Sequence, residues 1–363
     1  MSSPAPRHPD RRPWIAALFA VVAALLFALA MPRPGVRVRV LRPVSGSATG
    51  ESSASPLASL RVATYNLEHF TDGRFDGPAI TPAAVRAQIE GAAANIAEAD
   101  PDILVLEEVE NARILRALND ALPVPYPYVY VTSFRTASGA RDSLNHALLS
   151  RVPPVEVRQI SFAALPPPSR PARGSLAARF ALAPGRHLLV YALHLKSNFG
   201  DPPRNQAQRA VALHALAADA INERLALAPA ALSVLLLGDT NVDPETPAFA
   251  DDPSLAPLAG EYADLWLGTP LPDRTTIPTR LPGDPALVFP PSAFDRVFAS
   301  LDLVTPPPGT PTPWHASRPT SLQRGCATHD NTLAPGHGGH VSDHYLVSVT
   351  LSPAPPPPPP TDP

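Results

Sequence analysis

The chain has 363 residues, of which 45% are hydrophobic and 17% charged, with a formal net charge of −3. That composition marks a globular protein with apolar material for one large or two ordinary cores, and it argues against a domain that grips polyanions through a broad basic surface. The single cysteine, Cys326, excludes an intramolecular disulfide framework and a multi-cysteine metal site, so any metal must be held by oxygen or histidine ligands.

In chain order, Arg7, Arg11 and Arg12 precede WIAALFAVVAALLFALAM, residues 14–31, which carries no charge. Residues 1–31 therefore read as a targeting segment. The Ala28-x-Ala30 site fits cleavage as a signal peptide, and Trp14 at one end of the apolar run fits an uncleaved membrane anchor. Arg11-Arg12 matches the twin-arginine route, while Arg33, Arg37 and Arg39 on the far side leave orientation open. The expected location is exported: periplasmic, extracellular or membrane-anchored and facing outward. Residues 32–56, with SGSATGESSASP, read as a flexible linker, and 352–363 as a Pro-rich tail. Residues 57–351 are left as the folded domain. Residues 1–56 hold seven of the 29 basic and two of the 32 acidic residues, and the tail adds Asp362, so the domain keeps 22 basic and 29 acidic residues, a net of about −7. Local basic patches remain open.

Within that domain, RVATYNLEHF (61–70) reads as a first strand. A helix follows over 81–99, entered through Thr81-Pro82, with Ile89, Ala93, Ile96 and Ala97 on one face. DILVLEEVEN (102–111) is a buried strand, and NARILRALNDAL continues as a helix. YPYVYVTSF, NHALLSR and SLAARFAL are short strands, HLLVYALHLKSN (187–198) is an apolar one, and a helix runs from Asn205 to Leu227. LSVLLLGDTNVD (232–243), AFDRVFAS (293–300) and HYLVSVTL (344–351) complete the set. Strands outnumber helices without strict alternation, a pattern that suits two packed sheets with helices outside.

Strand after strand ends in groups able to bind a hard cation or move a proton: Asn66 and Glu68, Glu107 and Glu108, His194, Asp239 and Asn241, Asp295, then Asp343 and His344. One such ending is turn chemistry, but six argue for a shared rim. Carboxylate and amide oxygens there fit Mg²⁺ or Mn²⁺, and two histidines beside them fit acid/base work or stabilisation of a charged phosphoryl oxygen.

At these residues the chain resembles the endonuclease/exonuclease/phosphatase superfamily, the metal-dependent phosphodiesterases related to deoxyribonuclease I. The matching pieces are TYNLE, LVLEEV, YALHLKS, LLLGDTN, FDRVF and SDHY, in the family's order over about residues 61–351. The resemblance implies an α+β fold, a four-layer αββα sandwich with the site at one end of both sheets. It implies metal ligation by Glu108, Asn66 and Asp343, with Mg²⁺, Mn²⁺ or Ca²⁺ as the ion. It implies catalytic roles for Asp239 and Asn241 of the GD-x-N motif, for His194, and for His344 with Asp295 fixing its tautomer. Glu107 stands where the family often has Gln, and alternation along the strand leaves one of the two glutamates as ligand. Glu68 is an optional second acid, and Thr240 replaces a common Phe. The implied reaction is in-line attack of water on a phosphodiester or phosphomonoester, without a covalent enzyme intermediate. A nuclease on DNA or RNA leads; a phosphoesterase for lipid headgroups or small phosphate esters, sphingomyelinase- or inositol-phosphatase-like, is the alternative, and a non-catalytic binding module on the same fold is the third reading. No obligate protein partner is evident.

Other residues have weaker claims. Asn145, Arg173 and Lys196 are candidate substrate contacts, with loop or surface roles as the plainer alternative. His329, His337 and His340 lack the fixed short spacing of a structural zinc site and read as a loop. Gln206 and Arg209 read as helix surface, and Asp243, followed by Pro244, as loop chemistry.

Overall fold

The computed structural model describes residues 36–44, 58–74, 80–136, 138–227, 232–279, 290–305, 314–326 and 335–353. The expected leader 1–31, most of the linker, the tail beyond residue 353 and His329 lie outside the described residues.

Among the described residues the strands are β1 (Arg37–Val40), β2 (Leu60–Phe70), β3 (Ile103–Val109), β4 (Tyr128–Val131), β5 (Asn145–Ser150), β6 (Pro154–Ser161), β7 (Ser175–Ala183), β8 (Arg186–His194), β9 (Leu232–Asp239), β10 (Tyr262–Asp264), β11 (Asp295–Ser300), β12 (Trp314–Ala316), β13 (Thr320–Leu322) and β14 (Leu346–Pro353). Three long helices intervene: α1 (Pro82–Ala99), α2 (Ala112–Ala121) and α3 (Pro202–Leu227). One sheet runs β1-β6-β7-β8-β9-β11-β10; the other runs β12-β14-β2-β3-β5-β4, with β13 also on β14. Only β8–β9 and β2–β3 are parallel, and each pair is joined through a helix, as a parallel crossover requires.

The layers follow from side-chain alternation. Along β8, Leu188, Val190 and Ala192 enter the core between the sheets, while Leu189, Tyr191 and Leu193 face Ala212, Leu213 and Leu216 of α3. Along β9, Leu235 and Leu237 point inward, and Val234 and Leu236 point toward the helix. A strand buried on both faces needs a continuous apolar run, which is why LSVLLL shows no alternation. On the second sheet Val62, Ile103 and Val105 fill the central layer; Ala63, Leu104 and Leu106 pack against Ala93 and Ile96 of α1 and Ile114 and Leu118 of α2. The expected four-layer αββα sandwich is the observed architecture.

Residues 36–44 correct one expected boundary. They do not belong to a linker: β1 pairs with β6 from Arg37↔Ser161 to Val40↔Arg158, and Leu41 enters the central core. Four residues of RVRV are too short to declare a strand without the partner that pairs with them. Helix entry matches expectation, since the Thr81 side chain accepts a bond from the Ala84 amide, with Pro82 in the first turn.

Gly238 is where the central layer and the polar rim meet. Its φ is +134°, and a Cβ there would lie 2.1 Å from the Leu193 carbonyl oxygen and 2.6 Å from Glu107 Oε1. Both the left-handed backbone and the close approach require glycine. Gly238→Ala should lower the thermal midpoint by roughly 5–10 °C. A scanning-calorimetry midpoint equal to the parent's would refute this account of the position.

Candidate active site

The rim residues come from both sheets. In the first sheet, register sets His194 opposite Asp239 and Asp239 opposite Asp295, so three adjacent strands end at one level. In the second, Asn66 lies beside Glu107, and the pairing of β3 with both neighbours slips just beyond, between Asn66 and Phe70 and between Leu106 and Val109. The slip re-aims side chains, as bulges do. Glu107 is sealed in the interior and accepts a 2.5 Å bond from Thr64 Oγ1, whereas Glu108 opens onto the rim. Burial, with Asp295 and Asp239 adding, holds the Glu107 carboxyl well above the usual range. Thus only Glu108 of the pair is available as a ligand.

Two contacts cross between the sheets. His194 Nε2 lies 3.3 Å from Glu108 Oε1 and 3.9 Å from Asp239 Oδ2. His344 Nδ1 lies 2.7 Å from Asp295 Oδ2, and its Nε2 is 3.7 Å from Asp343 Oδ1. The loop before β14 is set by Ser342, whose hydroxyl donates to the Asn66 carbonyl at 2.6 Å and accepts from the His344 amide at 3.0 Å. The two imidazoles differ in charge for physical reasons. Burial, reinforced by Arg173 and His146, pushes His194 well below its ordinary value and keeps it neutral. For His344 burial acts the same way but is outweighed by Asp295, Asp343 and Asp239, so its pKa is raised well above 6.5 and the ring is cationic.

Asp239 is pushed up to about 7 by burial, with His344 opposing and Asp295 adding. Its Oδ1 accepts from the Asn241 amide and its Oδ2 from Asn241 Nδ2, both at 2.8 Å. Nδ2 also donates to the Leu195 carbonyl at 3.3 Å, so one side-chain hydrogen of Asn241 holds Asp239 and the other ties the amide to the loop after His194. Glu108 Oε2 accepts from the His69 amide at 2.8 Å, and Asn66 Nδ2 stands 3.5 Å from Glu108 Oε1. Eight of the expected residues therefore converge on one rim, Asn66, Glu108, His194, Asp239, Asn241, Asp295, Asp343 and His344, while Glu107 lies sealed beneath it.

The three candidate substrate contacts are placed differently. Arg173 lines the narrow depression that reaches His194. Lys196 lines it too, but its ammonium donates to the Ser197 hydroxyl and to the Ser197 and Phe199 carbonyls. Asn145 is turned away: Nδ2 donates to the Glu110 and Asp142 carbonyls and Oδ1 accepts from the Phe134 amide, so it pins loops.

Several neighbours escaped the sequence reading. Behind His194 stands buried His146, ring centroids 6.3 Å apart and nearly perpendicular, with burial pushing its pKa down to about 3. His340, read as loop, puts Nε2 2.7 Å from Glu68 Oε2 at the rim. Arg209 is buried, not helix surface: it bonds Asp252, Ser254, the Lys196 carbonyl and Asn198, tying α3 to the loop after His194. Asp243 is likewise more than loop chemistry. It is fully buried, with Oδ2 2.6 Å from Arg274 Nη1 and Oδ1 3.3 Å from Arg296 Nη1. Arg296 also meets Asp264 at 2.6 Å. This cluster anchors the segment after Asn241 to β11. Among the described residues, no three His, Cys, Asp or Glu side chains form an enclosing metal cage.

A two-sheet sandwich with carboxylates, an amide and two differently charged histidines at one end defines the class of phosphoric ester hydrolases. The model of the endonuclease/exonuclease/phosphatase family matches residues 63–344, and the chain belongs to that family, whose enzymes are generally divalent-metal dependent. Among solved structures, it is similar to D. rerio TDP2 complexed with single strand DNA product, at 20% identity and a TM-score of 0.50 over 81% of this chain and 99% of that one. It is also similar to truncated Caenorhabditis elegans TDP2, at 17% identity and 0.51 over 81% and 98%. An endonuclease/exonuclease/phosphatase family protein from Bacteroides thetaiotaomicron matches at 19% identity and 0.51 over 82% and 98%. At these identities the likeness is one of fold. No curated protein matches the sequence.

Replacing Asp243 by Ala would leave Arg274 and Arg296 with a buried carboxylate removed. Breaking such a network costs about 3–5 kcal/mol, which urea unfolding should register as a lowered midpoint; an unmoved midpoint would contradict the anchoring role.

Proposed function

We propose that the chain is a divalent-metal-dependent phosphodiesterase and that its substrate is DNA or RNA. The observation that carries the reading is the pair of contacts between sheets, which sets an oxygen-rich acid cluster beside a cationic His344 held by Asp295. The donor set fits Mg²⁺: Glu108, the Asn66 side-chain carbonyl and nearby Asp343 offer hard oxygens, and Mg²⁺ binds through few protein ligands while keeping several waters. Bound there, the ion would neutralise charge on a phosphoryl or leaving oxygen.

The chain's own groups do the rest. Asp239, immobilised through both oxygens by Asn241, orients the attacking water and receives its proton. Asp295 fixes His344 by its Nδ1, so the Nε2 proton faces outward as a charged donor to the phosphoryl oxygens. Neutral His194 offers its Nε2 proton between Glu108 and Asp239. A single strand DNA product in the D. rerio TDP2 structure supports a nucleic-acid substrate, as does the position of Arg173 beside His194. Export through residues 1–31, to the periplasm, the medium or an outward-facing membrane anchorage, is part of the same proposal and is supported by the charged-then-apolar pattern of that segment.

Incubation with plasmid DNA, RNA and phosphorylated lipid, with and without EDTA, tests the reading. Nucleic-acid cleavage that stops with EDTA and returns with Mg²⁺ is expected; metal-independent cleavage, or cleavage of lipid alone, would overturn it. Asp295→Asn keeps shape but removes the charge that holds His344 cationic, so kcat should fall by on the order of 10²–10⁴ with little change in the melting transition. Parental turnover in that variant would sink the assignment of the pair.

A further inference from the structure

Beside the reacting centre, between the segment 162–174 and the start of α3, lies a cavity of about 590 Å³. Arg135, Arg170, Arg173, Lys196 and Arg204 line it, with Asp201 as the one acid among its described lining residues. Arg173 and Lys196 also line a small adjoining depression bordered by His194, which brings this end of the cavity next to the strand that carries that residue. On its far side Arg135, Ser161 and Ala163 are shared with a second depression of about 480 Å³, which carries Arg37 and Arg39 of β1.

Among the described residues, the charges on this face are not neutralised. Arg39 donates to Ser133 and Gln159, Arg135 to the Gly139 carbonyl, Arg170 to the Ala163 carbonyl and Lys196 to its own loop. Neutral acceptors hold these groups in place and leave their positive charge intact. Among the described residues, no carboxylate lies within ion-pair distance of any of the seven cations. Deeper arginines show the opposite pattern, with Arg158 on Asp219, Arg209 on Asp252 and Arg296 on Asp264.

Phe199 stands among the residues lining the larger cavity and is 81% exposed. Its loop is ordered, since the Phe199 carbonyl accepts from Lys196 Nζ at 2.9 Å and from Asn205 Nδ2 at 3.1 Å. An exposed ring on a braced loop, amid unpaired cations, is the pairing of features that binds single strands: phosphates on the charges, a base on the aromatic face. Stacking of that kind needs an unpaired base, which favours a single strand over a duplex. Cations continuing through two adjoining depressions exceed what one phosphate group engages.

Building on the phosphodiesterase reading, we infer that this surface, from Arg173 past Phe199 to Arg37 and Arg39, is a binding track for the part of a single-stranded nucleic acid that extends beyond the scissile phosphate. Strand binding by the full chain in EDTA, followed by fluorescence anisotropy on an oligothymidylate of about 16 residues, tests the track without cleavage. Arg170→Ala combined with Arg204→Ala should weaken binding about tenfold or more at physiological salt and reduce the slope of log affinity against log salt by about 1.4, near 0.7 for each lost phosphate contact. Phe199→Ala should weaken it by about tenfold, and Phe199→Tyr should restore it. Parental affinity and slope in the Arg variant, equal binding in Phe199→Ala, tighter binding of the matching duplex, or binding of phosphatidylserine vesicles in preference to the strand would each overturn the proposal. Melting curves accompany each variant, and the salt slope of the parent alone, if near zero, overturns it without any variant. Cleavage assays on the parent decide the phosphodiesterase reading separately, so a bound but uncut strand and a cut but unbound one are distinguishable.

Discussion

The 2.7 Å bond between His344 Nδ1 and Asp295 Oδ2 joins the two sheets at their polar end, and the rest of the site depends on the separation it records. Asp295 begins β11 in one sheet; His344 lies two residues before β14 in the other. Neither sheet could hold this geometry alone, because each supplies one partner. The distance is set by the apolar layer beneath, where Leu235, Leu237 and Val297 share one buried cluster with Val62, Val105 and Val347, and close-packed interiors resist changes in spacing. Asp295 is itself fixed from the backbone: its amide donates to Thr276 Oγ1 and its carbonyl accepts from Trp266 Nε1, both at 3.0 Å. The core therefore acts on function through length, by keeping a charged pair at bonding distance.

Strain is concentrated where that core ends. Five described residues other than glycine have positive φ, and four of them, Glu68, His69, Glu108 and Asn241, belong to the rim or its immediate backbone. Such conformations cost on the order of 1–3 kcal/mol each and persist only when surrounding contacts over-determine them. Those contacts are visible. The buried Gln88 amide of α1 donates to the carbonyls of Leu67, Glu68 and Val341, holding the end of β2 and the loop toward His344 together. Glu108 is restrained by the His69 amide, and Asn241 by Asp239. Helix α1 thus contributes to the site without presenting a residue to it.

What could be read from sequence alone follows the range of the interactions involved. Strands such as HLLVYALH and LSVLLLGD declare themselves because burial on both faces demands a run of apolar residues, and their polar endings are local in the chain. Choosing Glu108 over Glu107 came from the family resemblance, with alternation requiring only that the two point oppositely, and the bulge that completes the separation was not visible. β6 was missed because it opens at Pro154 and mixes charged and apolar residues, and β1 because four residues have no meaning without β6. Asp243 looked like loop chemistry because its partners, Arg274 and Arg296, lie 31 and 53 positions away. Arg209 was misread for the same reason: its acid, Asp252, comes from a different segment 43 positions on. Pairings of this separation depend on the finished topology.

The distribution of charge makes the same point at larger scale. A net negative chain ordinarily repels polyanions, and composition by itself argued against a broad basic surface. The fold instead sorts its charges. Acids are consumed in buried pairs with Arg158, Arg209, Arg274 and Arg296, or gathered at the rim, while the cations beside His194 are held by neutral carbonyls and amides. Concave, low-dielectric walls focus the field of a few unneutralised charges more than a flat surface does. β1 adds Arg37 and Arg39 to that face, two charges that a boundary at residue 57 assigns to a linker. Local potential near the rim is therefore set by which charges are paired, and net charge is a poor guide to it.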